Sequence, residues 1–217
     1  MGSNGGGKSR LIRAMIGDGS AYSRGVVLDT KGDFKLNCPH TVIRDLNDWR
    51  WKWYSLHPGW ILYRPTPEWN NGPALDELLR RLFERGRAQF KGGVAKRPFL
   101  IVVDEGLALA KTGSVRHLGM IAVSGRALGI GLWVASQRPR WIPIEVRSES
   151  WRWYVFALSY TDDDKEVSAY TKGRLTVEML QKETKDFEFF EIRRRGQTAA
   201  DLVITHFPKI ELKENAA

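Results

Sequence analysis

The segment from Gly2 to Ser9 reads G-S-N-G-G-G-K-S, which is the spacing G-x-x-x-x-G-K-S of a phosphate-binding loop. To wrap a triphosphate, backbone N–H groups must turn inward along a path that side chains resist, and glycine permits it. Gly5, Gly6 and Gly7 supply that path, Gly2 opens the motif and Asn4 lies within it. The Lys8 ammonium can reach the β- and γ-phosphates of ATP, and the Ser9 hydroxyl can ligate Mg²⁺. Apolar residues at helical spacing from Ser9 to Ile16 predict a helix whose positive end faces the loop. Such a loop normally follows a buried strand, yet here only Met1 precedes Gly2. Either that strand lies upstream of this sequence, or another segment fills its place, or Gly2 completes the spacing by accident, a reading that Lys8 and Ser9 survive.

A second motif completes the first. Phe99 to Val103 is a continuous apolar run that ends in Asp104-Glu105, the pattern of a strand buried on both faces with acids at its carboxyl end. Ligands of open α/β sheets bind at that edge. There Asp104 can hold the Mg²⁺ shell, and Glu105 can orient or deprotonate an attacking water. Gln137 follows the next apolar strand, where its amide is placed to read the γ-phosphate; a polar residue after a strand is also ordinary. Arg126 lies between the two. Its guanidinium can stabilise charge on a transferring phosphoryl group, or simply sit against the negative end of a helix. D-T-K-G-D, from Asp29 to Asp33, follows the second strand and either contacts nucleotide or forms a plain polar turn.

Strand-like and helix-like stretches alternate, which predicts an α/β domain with a mainly parallel sheet. Strands are expected at Gly25–Asp29, Trp60–Tyr63, Phe99–Val103, Gly131–Ala135 and Trp151–Leu158. Helices are expected at Pro73–Phe90, Ser114–Leu128 and Thr161–Tyr170, the last with Thr161 and Asp162 as cap candidates. Phe187–Ile192 and Asp201–Thr205 predict a terminal hairpin. The chain of 217 residues suits one domain, with a motif-bearing core over residues 1–160 and a helix and hairpin over 161–217. A hydrophobic share of 42% supports a packed core. The single cysteine, Cys38, excludes an internal disulfide and fits a reducing compartment. No apolar run approaches the ~18 residues of a membrane span. The formal charge of +9 favours a polyanionic partner such as nucleic acid.

With these motifs in order, the chain resembles the FtsK–HerA superfamily of DNA-pumping ATPases. The resemblance rests on G-S-N-G-G-G-K-S, D-T-K-G-D, I-V-V-D-E and G-R-A-L-G-I-G-L-W-V-A-S-Q-R-P, and covers roughly residues 2 to 160. The chain is compact, which points within the superfamily to the genome-packaging ATPases of tailless icosahedral viruses with internal membranes. The resemblance implies a RecA-like P-loop fold, with its first strand, missing here, beside the acidic strand. It implies ATP and Mg²⁺ as ligands and a ring of identical subunits, in that family often a hexamer, around double-stranded DNA. Capsid or vertex proteins are further partners, and the place of action is the host cytoplasm or the virion vertex. By the same carry-over Lys8 and Ser9 contact nucleotide and Mg²⁺, Asp104 and Glu105 form the acidic pair, Gln137 senses the γ-phosphate and Arg126 reaches the adjacent subunit. A conjugation or DNA-repair pump, and a nucleotide-dependent assembly protein that pumps nothing, are the alternatives.

The DNA-contacting residues are not identified by any motif. Lys91, Lys96 and Arg97, Arg64, Arg140, the stretch Ala110–Arg116 and the Arg193-Arg194-Arg195 run are candidates, and a solvated basic face is the ordinary reading of each. Trp49, Trp51, Trp53, Tyr54 and Trp60 form an aromatic cluster that suits a core or a subunit or capsid contact better than base stacking.

Overall fold

The structure is a computed structural model, and it describes residues 1–3, 5–17, 22–51, 59–91, 94–95, 97–105, 115–184, 187–195 and 201–208. Asn4, Trp53, Tyr54, Gly92, Gly93, Lys96, residues 110–114 and residues 196–200 lie outside the described residues, as does the side chain of Lys91. The chain divides into two compact units.

The larger unit, Met15–Ala135 with Pro143–Glu149, is built on a five-stranded sheet. Its strands are β1 (Gly25–Asp29), β2 (His40–Ile43), β3 (Trp60–Tyr63), β6 (Phe99–Asp104) and β7 (Ile130–Ala135), in the order β2-β3-β1-β6-β7. All four pairings are parallel. The sequences G-V-V-L-D and F-L-I-V-V-D are apolar without alternation because β1 and β6 are buried at every position. In β7 the four central residues are only half-buried, as expected of the strand that ends the sheet. Two short strands, β4 (Phe90–Lys91) and β5 (Val94–Ala95), pair as a separate ribbon.

Helix α1 (Lys8–Gly17) precedes β1, and α2 (Gly72–Gln89) precedes β4. Asn71 caps α2 by accepting from the Ala74 N–H at 2.9 Å, and Pro73 sits in the first turn. Its leucine stripe, Leu75, Leu78, Leu79 and Leu82, is buried as its spacing requires, while Arg80 and Arg81 pair with Glu77 on the outer face. Helix α3 (Arg116–Ser124) stops short of the expected Leu128. A turn takes over there: the Gly125 carbonyl accepts from Ile130 N–H at 2.8 Å, and Arg126 is exposed within that turn. A carboxylate from α2 caps α3, since Asp76 accepts from the His117 N–H at 2.8 Å and meets its ring nitrogen at 2.9 Å. The short helix α4 (Ile144–Glu149) completes this unit.

The second unit holds Met1–Ala14, Ser136–Ile142 and Ser150–Ala217. Strands β8 (Arg152–Val155), β9 (Phe189–Arg194) and β10 (Leu202–Phe207) form an antiparallel sheet in the order β10-β9-β8. The expected terminal hairpin is β9–β10, and β8 extends it by one strand. Trp153, Val155, Val167, Leu180, Phe190 and Ile192 are core residues shared by this sheet and helices α5 (Thr161–Tyr170) and α6 (Val177–Glu183). The N-cap of α5 is Tyr160, without a side-chain bond, so neither Thr161 nor Asp162 caps it; Asp162, Asp163 and Asp164 occupy its first turn instead. Strand β2 and helix α6 were not foreseen, being too short for a periodic signal.

The expected position of the missing first strand is also corrected. Both edges of the acidic strand β6 are taken, by β1 and β7, so no place beside it is open. Residues 1–3 run beside the end of β8 instead. Phe156 N–H donates to the Met1 carbonyl at 2.9 Å, and Ser3 N–H to the Ala157 carbonyl at 2.7 Å.

Candidate nucleotide and acidic sites

The phosphate loop lies in the second unit. Gly6 N–H donates back to the Ser3 carbonyl at 3.2 Å, and α1 begins at once with Leu11 N–H on the Gly7 carbonyl at 2.9 Å. Gly7 has φ +97°, a left-handed conformation, and a Cβ there would stand 3.1 Å from the Phe156 ring. At Gly2 the need is close approach, since a Cβ would lie 2.6 Å from that of Phe156. Lys8 is the first residue of α1 and only 6% exposed. Its ammonium donates to the carbonyls of Gly2 and Ser3, each at 2.7 Å. A buried cation needs partners of this kind, and here they are the loop's own oxygens. A buried ammonium, glycines in left-handed conformations at positions 5 and 7 and the start of a helix thus follow one another directly, which fits a polyphosphate.

Gln137 belongs to the same unit and sits at the apex of a closed turn. Ser136 Oγ donates to the Arg138 carbonyl at 2.8 Å and accepts from Arg138 N–H at 3.2 Å. The Ser136 carbonyl accepts from Gly2 N–H at 3.1 Å, so the start of the phosphate loop is bonded to the base of this turn. Arg138 anchors the turn from the far side. Its Nε donates to the fully buried Asp163 carboxylate at 2.9 Å, and its guanidinium lies over the Tyr160 ring, 4.2 Å from the centroid. Arg140 approaches the same carboxylate at 3.3 Å, so that candidate for DNA contact is already engaged. S-Q-R-P is therefore a support for Gln137: Ser closes the turn, Arg ties it to α5, and Pro starts a 3-10 turn at residues 139–141.

The acidic group lies in the larger unit, where the parallel register sets Asp104 of β6 opposite Asp29 of β1. Asp104 is 6% exposed. Glu105 follows in a left-handed conformation, φ +53°, with its N–H on the Ala135 carbonyl at 3.3 Å. The Lys31 ammonium is in ion-pair contact with Glu105 Oε2.

Asp29 builds the loop that carries Lys31. Its carboxylate is 1% exposed and accepts from Gly32 N–H at 2.8 Å, Phe34 N–H at 3.1 Å and Arg64 Nε at 2.9 Å. Arg64 also donates to the Phe34 carbonyl at 2.9 Å, and Asn70 to the Thr30 carbonyl at 3.1 Å. Arg64 is thus a structural partner of this loop. Sequence reasoning missed this pair because it joins residues 35 positions apart. Asp29→Ala would leave the Arg64 guanidinium unpaired beside the sheet. Arg64 keeps 29% exposure, so the cost falls below that of a fully buried pair, at about 2–3 kcal/mol. Urea unfolding would show it, and a loss under about 0.5 kcal/mol would mean that the pair does not hold the loop.

The other candidates scatter. Trp51 donates to the Asp45 carbonyl at 3.0 Å and tilts against Tyr63, Trp60 is core, and Trp49 is 70% exposed, so the three described tryptophans of the cluster differ in their surroundings. Arg193 pairs with the buried Glu191 at 2.8 Å. Among the described residues, no helix is long and apolar enough to cross a membrane.

No protein-family model matches the sequence, and no curated protein matches it significantly. Solved structures do match. The genome-packaging NTPase B204 of Sulfolobus turreted icosahedral virus 2, in complex with AMPPCP, aligns with TM-score 0.70 over 97% of this chain and 96% of that one, at 16% identity. The pCW3 conjugation coupling protein TcpA, with ATPγS, aligns with TM-score 0.58 over 95% of this chain and 58% of its own, at 16% identity. The type VII secretion ATPase EccC of Thermomonospora curvata aligns with TM-score 0.54 over 99% of this chain and 25% of its own, at 15% identity. The chain therefore has the fold of the P-loop packaging and coupling ATPases, in agreement with the FtsK–HerA resemblance of its motifs.

Proposed function

We propose that the chain hydrolyses ATP to move double-stranded DNA, as one subunit of a homo-oligomeric ring, a hexamer, that packages a viral genome into a preformed capsid. The observation that carries this reading is the phosphate loop. Its buried Lys8 is held by two loop carbonyls at the start of α1, in a chain that aligns nearly end to end with a packaging NTPase. The net charge of +9 supports a polyanionic partner. Capsid or vertex proteins would complete the machine, in the host cytoplasm or at the virion vertex.

Lys8 and the N–H groups of Gly5, Gly6 and Gly7 bind the phosphates. The Ser9 hydroxyl and the Asp104 carboxylate, hard oxygen donors both, suit Mg²⁺. When bound, that ion neutralises charge on the phosphate oxygens. Glu105 orients the attacking water or takes its proton, and Gln137 registers the γ-phosphate from its braced turn. Arg126, exposed in the turn after α3, suits a site on a neighbouring subunit.

The fold also occurs in a conjugation coupling protein and a secretion ATPase, so the response to DNA separates the readings. Duplex DNA of any sequence should raise ATP turnover severalfold, with the effect lost at high salt because the contacts are to backbone phosphates. Turnover indifferent to DNA would discard the DNA motor and favour a nucleotide-dependent assembly protein.

A further inference from the structure

The carboxylate assigned to the attacking water is engaged by a cation that none of the motif roles uses. The turn after β1 is fixed from below: Asp29 binds the N–H groups of Gly32 and Phe34, and Arg64 binds both Asp29 and the Phe34 carbonyl. Lys31 rises from that fixed support and touches Glu105 Oε2. Its side chain is 45% exposed, whereas that of Glu105 is 11% exposed, so the lysine can withdraw into water while the glutamate stays in place. Glu105 also holds a left-handed backbone at φ +53°, a conformation that a non-glycine residue keeps only where its surroundings impose it. An ammonium held against a carboxylate oxygen occupies lone pairs that would otherwise accept from water.

We propose that Lys31 is a positioning residue that restrains Glu105, holding its carboxylate on the D-T-K-G-D turn and away from the attacking water. The inference rests on Glu105 having the role given above. It makes Lys31 a brake on turnover: the contact must loosen before Glu105 can act. This gives the D-T-K-G-D turn a task distinct from nucleotide contact, with Asp29 and Arg64 as the mount and Lys31 as the restraining group.

A carbodiimide joins a carboxylate directly to an amine it touches, so it reads the contact without any turnover. Treated without nucleotide, the full chain should yield a Lys31–Glu105 isopeptide by mass spectrometry, absent in Glu105→Gln. Failure to find it in the wild-type chain overturns the proposal. Lys31→Met keeps the alkyl stem and removes the charge. It should raise DNA-free ATP hydrolysis about fivefold, equivalent to ~1 kcal/mol of restraint. Its AMPPCP affinity should stay within about twofold of wild type, since Lys31 is assigned no nucleotide contact. Lys31→Arg, which keeps the cation, should remain at the wild-type rate. Hydrolysis by Lys31→Met at or below the wild-type rate, with AMPPCP binding intact, overturns the restraint alone. A wild-type chain that does not bind AMPPCP removes the nucleotide reading itself, and the inference with it.

Discussion

Lys8→Ala lowers ATP affinity and turnover together, with turnover falling by about 10²–10³-fold, the loss expected when one charged donor is taken from a transferring group. The effect has two parts. The ammonium is the charge assigned to the β- and γ-phosphates, and it also closes the loop through the Gly2 and Ser3 carbonyls, at 2.7 Å each. Removing it leaves those oxygens without that donor where the loop passes Phe156, so the loop itself should loosen. Lys8→Arg separates the parts. The guanidinium retains charge but is planar and larger, and a site 6% exposed has little room for it. Equilibrium binding of a fluorescent ATP analogue and steady-state hydrolysis check both variants. Wild-type affinity in Lys8→Ala would remove Lys8 from the phosphate contacts.

The sequence made some of this legible and hid the rest, for physical reasons. Phe99–Val103 announced its strand because a parallel strand buried on both faces must be apolar at every position. The leucines of α2 announced its buried face by their spacing, and the loop announced itself because glycines and a lysine at that spacing have few other uses. What stayed hidden are the supports. Asp29 with Arg64, Arg138 with Asp163 and Lys31 with Glu105 are each distant in sequence. In composition each is one more charged residue, and only the fold shows which of them are buried. For the same reason Arg64 and Arg140 stood among the candidates for DNA contact, although both are held by internal carboxylates. The missing first strand was expected beside β6 because the family resemblance implied it, while the sheet order places β6 between β1 and β7.

Glu105→Gln is the sharpest test of the acidic pair. An amide is nearly the size of the carboxylate it replaces, so the left-handed backbone at φ +53° and the bond from its N–H to Ala135 should survive. What is lost is a base. Removing general-base catalysis costs about 10²–10⁴-fold in turnover. ATP binding should persist, because Lys8, Ser9 and Asp104 are untouched, so the variant should accumulate bound ATP that does not turn over. Two opposing changes meet in this substitution: the base disappears, and the Lys31 ammonium loses its anionic partner. The first dominates, because no release of Lys31 can restore a proton acceptor that is gone. The double variant Lys31→Met, Glu105→Gln should therefore be as slow as Glu105→Gln alone, whereas Lys31→Met alone is faster than wild type. Single-turnover hydrolysis of labelled ATP, with analogue binding measured in parallel, distinguishes these states. Turnover in Glu105→Gln within about threefold of wild type would remove Glu105 from the chemistry and move the search for the base to another residue on the carboxyl edge of the sheet.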